Sequence, residues 1–240
     1  MYAVLSDVHS NLEALKSVLE DLKKRDIHDI YFIGDAVGYG PEPNECIKLL
    51  KTECNILLVG NHDWGVCGLT DIRYFNEYAR AAIEWTMNVI NKDNIKALGE
   101  FPVRCELKKE DITLVHSTPY EPEKWHYLFR LHDAEENFGY FDGRICFIGH
   151  SHKPVIIEKL TSGELITDKK GTNIKPDSRY IINVGSIGQP RDGDPRASYV
   201  IVDDEKVEIA RVKYNIEATQ KKMTLEGLPL FLIERIALGI

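Results

Sequence analysis

Several features that mark specialised proteins are missing from this chain of 240 residues. Its five cysteines are odd in number and none forms a Cys-x-x-Cys pair, so neither a disulfide framework nor a zinc ribbon is indicated. No apolar run approaches the ~20 residues that a membrane-spanning helix needs, and no secretory signal is recognisable. We therefore expect a cytoplasmic protein with reduced thiols that needs no membrane.

Positive charge is also in short supply. The formal net charge is −8, and an acidic protein does not attract nucleic acid or anionic lipid, so nucleic acid is not expected as a required partner. A small phosphorylated substrate would have to be drawn in by bound cations and not by the overall field. The chain is 43% hydrophobic, which is enough for a globular core.

The first 60 residues alternate between strand-like and helix-like patterns. Short apolar runs of the strand type stand at 2–5, 30–33 and 56–59. Segments with apolar residues at helical spacing lie between them, at 12–22 (with Ser10 or Asn11 as a candidate cap) and at 44–50. This order predicts a parallel sheet with right-handed crossovers.

The rest of the chain predicts helices and antiparallel hairpins. Residues 71–97 resemble a helical insertion with an aromatic face. We interpret this face as a packing surface in the first place, and as a lid or a base-stacking wall in the second. Three pairs of runs flank turns, namely 103–107 with 112–115, 155–160 with 165–167, and 199–202 with 207–212 around 203–205. Two helices are expected near 216–223 and after Pro229.

These elements predict an α/β fold in which two packed mixed β-sheets are flanked by helices, a four-layer α/β/β/α sandwich. Because no linker rich in Pro, Gly or Ser and no internal repeat interrupts the chain, we expect one domain over residues 1–240. Five apolar residues near the C-terminus would serve a homodimer contact or the core equally well: Leu228, Leu230, Leu232, Ile236 and Leu238.

Polar islands directly follow the apolar runs. They are Asp7-Val8-His9, Gly34-Asp35, Gly60-Asn61-His62-Asp63 and Gly149-His150-Ser151-His152, and His116 stands in the same position after another run. Ligands of such sheets bind outside the carboxyl ends of the strands, so these side chains should meet at one edge. Asp and His suit Mn, Fe, Zn, Ni or Co, and a shared carboxylate can bridge two cations ~3.5–4 Å apart. The sequence therefore predicts a two-metal hydrolytic site.

The order of the islands resembles the calcineurin-like metallophosphoesterase superfamily, whose pattern is D-x-H, G-D, G-N-H-D/E, a lone H and G-H-x-H. The match spans nearly the whole chain, and Gly38–Pro41 and Asn183–Arg191 resemble its small prokaryotic branch of phosphodiesterase-like or diadenosine-tetraphosphatase-like proteins.

The resemblance implies a role for each matched residue. It assigns one metal to Asp7, His9, Asp35 and His152, and the other to Asp35, Asn61, His116 and His150, with Asp35 as the bridge. It also implies a metal-bridging hydroxide as nucleophile and His62 as general acid.

The chain departs from the phosphoprotein phosphatases at two positions. Where those enzymes carry the later Asp and the Arg of G-D-x-x-D-R, this chain has Gly38 and Tyr39. Asp63 or a main-chain carbonyl is then a candidate to orient His62, and Arg191 is a candidate to replace the phosphate-binding Arg.

The leading prediction is a phosphodiesterase that acts on a small nucleotide-type substrate and uses two divalent transition-metal ions, with Mn as the expected best activator. Loss of the Arg clamp favours a diester because a diester carries less charge than a monoester. The alternatives are a phosphomonoesterase or protein phosphatase, a dinucleoside-polyphosphate hydrolase and, from another class, a non-catalytic protein-interaction scaffold such as the retromer subunit of this fold.

Overall fold

The computed structural model describes residues 1–203 and 206–240 and contains two six-stranded mixed sheets. The strands in chain order are β1 Tyr2–Leu5, β2 Asp29–Phe32, β3 Ile56–Leu57, β4 Arg104–Leu107, β5 Ile112–Val115, β6 Ile145–Ile148, β7 Val155–Lys159, β8 Leu165–Asp168, β9 Gly171–Asn173, β10 Arg179–Asn183, β11 Ala197–Val202 and β12 Lys206–Val212. The helices are α1 Leu12–Lys24, α2 Pro43–Glu53, α3 Asn61–Val66, α4 Glu77–Val89, α5 Lys92–Glu100, α6 Leu131–Asn137, α7 Ile216–Leu225 and α8 Leu230–Leu238.

The first sheet has the order β3-β2-β1-β11-β12-β9 and the second has the order β4-β5-β6-β10-β7-β8. The predicted parallel unit is confirmed, because β1 runs parallel to β2 and β2 to β3. The predicted hairpins are confirmed as the antiparallel pairs β4–β5, β7–β8 and β11–β12. The turn predicted for the third hairpin falls partly on positions 204 and 205, which lie outside the described residues.

Alternation along the strands builds the layers. In β1, Ala3 and Leu5 join the core under α1 and α2, whereas Val4 joins the core between the sheets. In β6, Phe147 faces the same inter-sheet core, whereas Cys146 packs under α6. Because side chains of a strand alternate between faces, each sheet buries one face against the other sheet and one against helices. The predicted four-layer sandwich is confirmed.

The segment predicted as one helical insertion at 71–97 consists of a short 3₁₀ turn and two helices, α4 and α5. The break falls at Asn91, whose side chain accepts a hydrogen bond from the Asn94 backbone N–H and so begins α5. Asn11, one of the two candidate caps, begins α1 in the same way through the Ala14 N–H. That residues 1–240 form one domain carrying this segment as an insertion stays a prediction.

The C-terminal helices α7 and α8 pack against α4 and against Tyr39. Of the five apolar residues considered for a homodimer contact, Leu228, Leu232 and Ile236 are buried, whereas Leu230 and Leu238 are exposed. Three buried and two exposed residues are what an amphipathic segment produces when one of its faces packs on the rest of the chain. The homodimer stays a prediction. Among the helices in the described ranges, none is both long enough and apolar enough to cross a bilayer.

Candidate metal centre

Five chain segments meet where parallel strands of both sheets end. Asp7, Asp35 and Asn61 follow β1, β2 and β3, and His116 and His150 follow β5 and β6. The structure brings together all seven residues predicted as metal ligands, and none is more than 7% exposed. The polar islands therefore form one buried cluster between the two sheets.

One half of the cluster is built by Asp7, His9 and His152. The Nε2 atoms of the two histidines lie 3.1 Å apart. The Asp7 Oδ1 atom lies 3.1 Å from His152 Nε2 and 3.6 Å from His9 Nε2. Three ligand atoms thus converge on one point, as a cation site requires.

The other half is built by Asp35, His116 and His150, whose ligand atoms also converge. The Asp35 Oδ2 atom lies 3.2 Å from His116 Nε2 and 3.6 Å from His9 Nε2, which belongs to the first half. Asp35 therefore stands between the two halves, where a carboxylate shared by two cations would lie.

Main-chain carbonyls fix the orientation of the histidine rings. His9 Nδ1 lies 3.0 Å from the Val37 carbonyl and His116 Nδ1 lies 3.1 Å from the Ile33 carbonyl. His152 Nδ1 lies 2.6 Å from the carbonyl of Gln189. Because a carbonyl can only accept, each Nδ1 carries a proton, and each Nε2 is the nitrogen that faces the centre for a ligand bond.

His150 is held by its other nitrogen. Its Nε2 lies 3.0 Å from the Trp125 carbonyl, so this nitrogen is the donor and Nδ1 keeps the lone pair. The His150 backbone N–H donates to Asp7 Oδ2 over 3.0 Å, which ties the two halves together.

Four ligand atoms of the cluster are buried and make no hydrogen bond to any residue that the structure describes: Asp7 Oδ1, Asp35 Oδ2, Asn61 Oδ1 and His116 Nε2. A buried polar atom without a partner is costly, and native proteins rarely tolerate several side by side. Three oxygens and an imidazole nitrogen are a donor set that divalent transition metals accept. The residues present therefore fit a pair of bound cations.

The backbone of the cluster is strained. Five of the seven predicted ligands have positive φ, from 48° at His9 to 63° at His150, with Asp7, Asp35 and His152 between. Residues without a favourable left-handed conformation persist there only where surrounding contacts hold them, and such positions concentrate at functional sites.

Glycine makes the close approach possible. A Cβ on Gly60 would stand 2.1 Å from Asp35 Oδ1, so only glycine admits the Asp35 carboxylate here.

Charges within the cluster reinforce one another. Burial alone would raise the pKa of Asp7, but His152 and His116 outweigh it and hold that pKa well below its usual range. Burial opposes a charged His116, yet Asp35 raises the His116 pKa to about 9. Burial lowers the pKa of His150 to about 3 and of His152 to about 4, so both rings are neutral and available as ligands at pH 7.

His62 lies at the start of α3, and its backbone N–H donates to Asp35 Oδ1 over 2.9 Å. Its Nδ1 atom is buried and has no hydrogen-bond partner within the described ranges. Gly38 is its neighbour there, since a Cβ on Gly38 would stand 2.4 Å from that nitrogen. Gly38, which by the resemblance stands where the phosphoprotein phosphatase pattern has an Asp, therefore adjoins the ring but offers no carboxylate.

Asp63 does not orient the His62 ring in this structure. Its carboxylate accepts from the backbone N–H groups of Asp35, Val37 and Gly60 at 2.9 to 3.1 Å. These bonds fold the loop after β2 onto the start of α3 and so position the Asp35 side chain. The other candidate orienter, a main-chain carbonyl, has no hydrogen bond to His62 Nδ1 in the described part of the chain either.

Arg191 lies beside the first half of the cluster. Its Nη2 donates to Gln189 Oε1 over 2.9 Å and to Tyr39 Oη over 3.2 Å, and its Nε is buried without a partner among the described residues. Tyr39 in turn packs its ring against His9 and His62, with centroids 4.6 and 4.5 Å apart. Tyr39 therefore packs against histidines of the centre, and Arg191 reaches the same region from another loop.

Sequence reasoning missed several groups at the centre. Tyr127 stacks on the His150 ring with centroids 3.9 Å apart, and Trp125 and Gln189 contribute carbonyls to histidine rings. A signal existed for the two aromatic residues, because the loop after His116 is rich in aromatic residues without any helical or strand period. A carbonyl acceptor has no side-chain signature.

Comparisons with known proteins show the family of this chain. A family model described as the calcineurin-like phosphoesterase superfamily domain matches residues 1–206. An uncharacterized protein of Methanocaldococcus jannaschii is 43% identical over 243 residues, spanning 100% of this chain and 98% of its own.

Two crystal structures have a similar fold. A metallophosphoesterase from Sphaerobacter thermophilus is 40% identical with a TM-score of 0.87, over 100% of this chain and 98% of the other. A hypothetical protein from Pyrococcus horikoshii OT3 is 21% identical with a TM-score of 0.77, over 98% and 96% of the two chains, a similarity of fold alone.

Proposed function

The chain belongs to the calcineurin-like phosphoesterase superfamily, as its polar islands predict, and on this premise we propose that it is a metal-dependent phosphodiesterase acting on small nucleotide-type substrates. One observation carries the proposal. Two groups of buried ligand atoms, one at Asp7, His9 and His152 and one at Asp35, His116 and His150, lie side by side, and four atoms of the centre have no hydrogen-bond partner among the described residues, an arrangement suited to two cations and costly without them.

The proposed ligand sets are Asp7, His9, Asp35 and His152 for one cation, and Asp35, Asn61, His116 and His150 for the other. Two bound divalent transition-metal ions, of which we expect Mn to activate best, would supply a water nucleophile of lowered pKa and neutralise charge at phosphorus. The protein's own contribution is orientation, because main-chain carbonyls fix the histidine rings and Asp63 fixes the loop that carries Asp35.

His62 is the proposed general acid, which would give a proton to the departing ester oxygen. Its support is positional: the ring lies beside Asn61 and lines the cleft that opens from the centre. Arg191 is proposed to contact a phosphate oxygen through its Nε, which is free of other hydrogen bonds within the described residues.

The residue at position 39 supports a diester over a monoester. Tyr39 occupies the position of the phosphate-clamping Arg, so the second negative charge of a monoester would lack its usual bidentate partner. Of the two arms of a diester, one would leave and the other would stay, and the adjoining cleft offers space for the arm that stays. A small phosphorylated partner and a cytoplasmic location, favoured by five free cysteines, complete the proposal.

The test begins with protein stripped by a chelator and reloaded with Mn²⁺. Release of nitrophenol is then timed from bis(p-nitrophenyl) phosphate and from p-nitrophenyl phosphate. We expect metal-dependent release that is faster from the diester. Faster release from the monoester would support the phosphomonoesterase alternative, and silence with metal shown bound would support the scaffold.

A further inference from the structure

A cleft of about 550 Å³ opens beside the metal centre. One wall is formed by residues between 69 and 79, in the segment that joins α3 to α4 and at the start of α4, and the other by Glu123, Lys124, Trp125 and Tyr127. Asn61, His62 and His150 also line it, so the cleft is continuous with the proposed metal ligands. A phosphate held at the centre would therefore have this space open to one of its ester arms.

The lining is rich in aromatic side chains. Five of its fifteen residues are aromatic, against 9% of the whole chain: Tyr39, Tyr74, Phe75, Trp125 and Tyr127. We call this space the aromatic cleft. Aromatic faces on opposite walls are what proteins use to hold flat rings, because every nucleobase presents a π-face that stacks.

Most of these rings are fixed by contacts with the centre itself. Phe75 meets the His62 ring edge-on with centroids 5.3 Å apart, and Tyr127 stacks on His150 at 3.9 Å. The Trp125 Nε1–H donates to Thr70 Oγ1 over 3.4 Å and so joins the two walls. The walls are thus held in place before any ligand arrives, which lowers the entropic cost of binding.

Tyr74 differs from the other rings. Its side chain is 88% exposed, although it lines the cleft. The ring is therefore accessible to a ligand in the cleft, which would cover part of it.

The charge of the lining selects among ligands. Of the described residues that line the cleft, only Lys124 carries a fixed positive charge, against Asp71 and Glu123. Asp71 accepts a hydrogen bond from Arg73, whose positive charge compensates the charge of the Asp71 carboxylate. A further phosphate group would find no excess of cations here, so a neutral flat ring suits the cleft better than a polyphosphate.

The Tyr127 ring is stacked between His150 and Phe129, at 3.9 and 4.9 Å between centroids, so Trp125 is the ring of the second wall left for a ligand. We propose that the aromatic cleft binds the nucleobase of a nucleotide ester, between the rings at 74–75 and Trp125. The proposal rests on the phosphodiesterase function proposed above and specifies the ester arm that stays behind. Stacking on aromatic side chains contributes about 1–3 kcal/mol per base, which corresponds to roughly 5- to 150-fold in affinity.

The experiment uses three diesters with one leaving group and the Mn²⁺-loaded protein. Thymidine 5′-(p-nitrophenyl phosphate) carries a flat base, ethyl p-nitrophenyl phosphate carries no ring, and cyclohexylmethyl p-nitrophenyl phosphate carries an apolar ring that is not flat. We expect kcat/KM to be about 5- to 150-fold higher for the thymidine ester than for the ethyl ester, with the cyclohexylmethyl ester near the ethyl one.

Variants assign the preference to the cleft. Tyr74→Ala should reduce the thymidine-to-ethyl ratio about tenfold, mainly through KM, whereas Tyr74→Phe should keep it because the ring face remains. Tyr140→Ala removes a half-exposed tyrosine that lies outside the cleft lining, and it should leave rates and ratio unchanged.

The outcomes separate the two proposals. Hydrolysis of all three esters with equal kcat/KM, or an unchanged ratio in Tyr74→Ala, would overturn base binding and leave the phosphodiesterase assignment intact. If none is hydrolysed, the phosphodiesterase proposal fails. Base binding in the cleft is then tested by calorimetry, which compares the affinities of thymidine 5′-monophosphate and ethyl phosphate. Equal affinities, or equal loss in Tyr74→Ala and Tyr140→Ala, would overturn base binding there too.

Discussion

Two buried carboxylates of this protein, Glu158 and Asp35, have opposite surroundings. Glu158 on β7 accepts hydrogen bonds from Ser178 Oγ at 2.7 Å and from Tyr180 Oη at 3.3 Å, and it pairs with Lys175 Nζ at 2.9 Å. Asp35 is buried as deeply, but its Oδ2 atom makes no hydrogen bond among the described residues and faces the Nε2 atoms of His116 and His9 at 3.2 and 3.6 Å. Burial of a carboxylate therefore does not mark a metal site in this fold; a carboxylate oxygen that faces imidazole nitrogens without a hydrogen bond does.

The backbone conformations of Glu158 and Asp35 also differ. Glu158 and Tyr180 lie within regular strands of the second sheet and pair with each other across β7 and β10. Asp35 has a φ of 59° and stands just beyond the end of β2. The satisfied acid thus belongs to a regular ladder, while the unsatisfied one is held in a conformation that only surrounding contacts can maintain.

The largest expected effect comes from exchanging the Asp35 carboxylate for an amide. Asp35→Asn weakens the bridge between the two ligand sets, so we expect Mn²⁺-dependent hydrolysis of bis(p-nitrophenyl) phosphate to fall by more than about 100-fold, the upper end for residues that merely support ligands. Bound Mn²⁺ per chain, measured by elemental analysis, should fall too. The matched control Glu158→Gln should keep both. A normal rate in Asp35→Asn would contradict the claim that Asp35, unlike Glu158, binds the cations.

His62→Ala tests a group at the centre that is not assigned to either cation. We expect bound Mn²⁺ to stay at the wild-type level while the rate falls by about 10²- to 10⁴-fold for an ester with an alkoxide leaving group, the range of general acids. The loss should be smaller for nitrophenolate, which leaves without a proton. Steady-state kinetics with both leaving groups measures this, and equal losses would contradict the general-acid role.

Cation binding should stabilise the fold through Asp35 and not through Glu158. At free Mn²⁺ near 100 times its dissociation constant, the free energy of unfolding should rise by about 2.7 kcal/mol. For a chain of this size that is a rise in Tm of about 5–10 °C. Thermal unfolding with chelator and with Mn²⁺ should show the rise in the wild type and in Glu158→Gln. A rise of equal size in Asp35→Asn would count against the shared ligand.

The smallest expected effect is on the satisfied carboxylate. Glu158→Gln removes a charge that Lys175 and Ser178 stabilise, and should cost about 1–2 kcal/mol of unfolding free energy at pH 7. Burial raises the pKa of Glu158, but those partners outweigh it and lower that pKa below the ordinary 4.5.

A group with a depressed folded-state pKa stabilises above its unfolded pKa and loses that contribution as pH falls through the folded one. The difference in urea unfolding between wild type and Glu158→Gln should therefore be constant above pH 5 and shrink below pH 4.5. A difference that does not change with pH would contradict the charged pairing.

The layered fold and the position of the centre were accessible from sequence because both depend on local patterns. An apolar run followed by Asp7 or Asp35 marks a strand and its carboxyl end within a few residues, and the geometry of parallel sheets brings such ends together. The helix starts at Asn11 and Asn91 are equally local, although the second was hidden within a segment that resembles one helix.

What sequence reasoning missed depends on contacts between distant segments. The carbonyl of Trp125 orients His150 only because the loop after β5 crosses the end of β6, and no side-chain type announces an acceptor on the main chain. Asp63 points to the loop after β2 and not to the adjacent His62, since the first turn of α3 places its carboxylate over the N–H groups of that loop. Neighbouring positions in a motif can thus have unrelated partners.

The proposed ligands are spread from Asp7 to His152, which has a consequence for folding kinetics. The cluster exists only after strands of both sheets have paired, and such distant pairing is slow and late in folding. Bound cations would then stabilise the native state but not the transition state, so they should slow unfolding and leave the folding rate unchanged, which rates measured with and without Mn²⁺ would test. Metal supply would set how long a folded molecule survives, and not how quickly a new one forms.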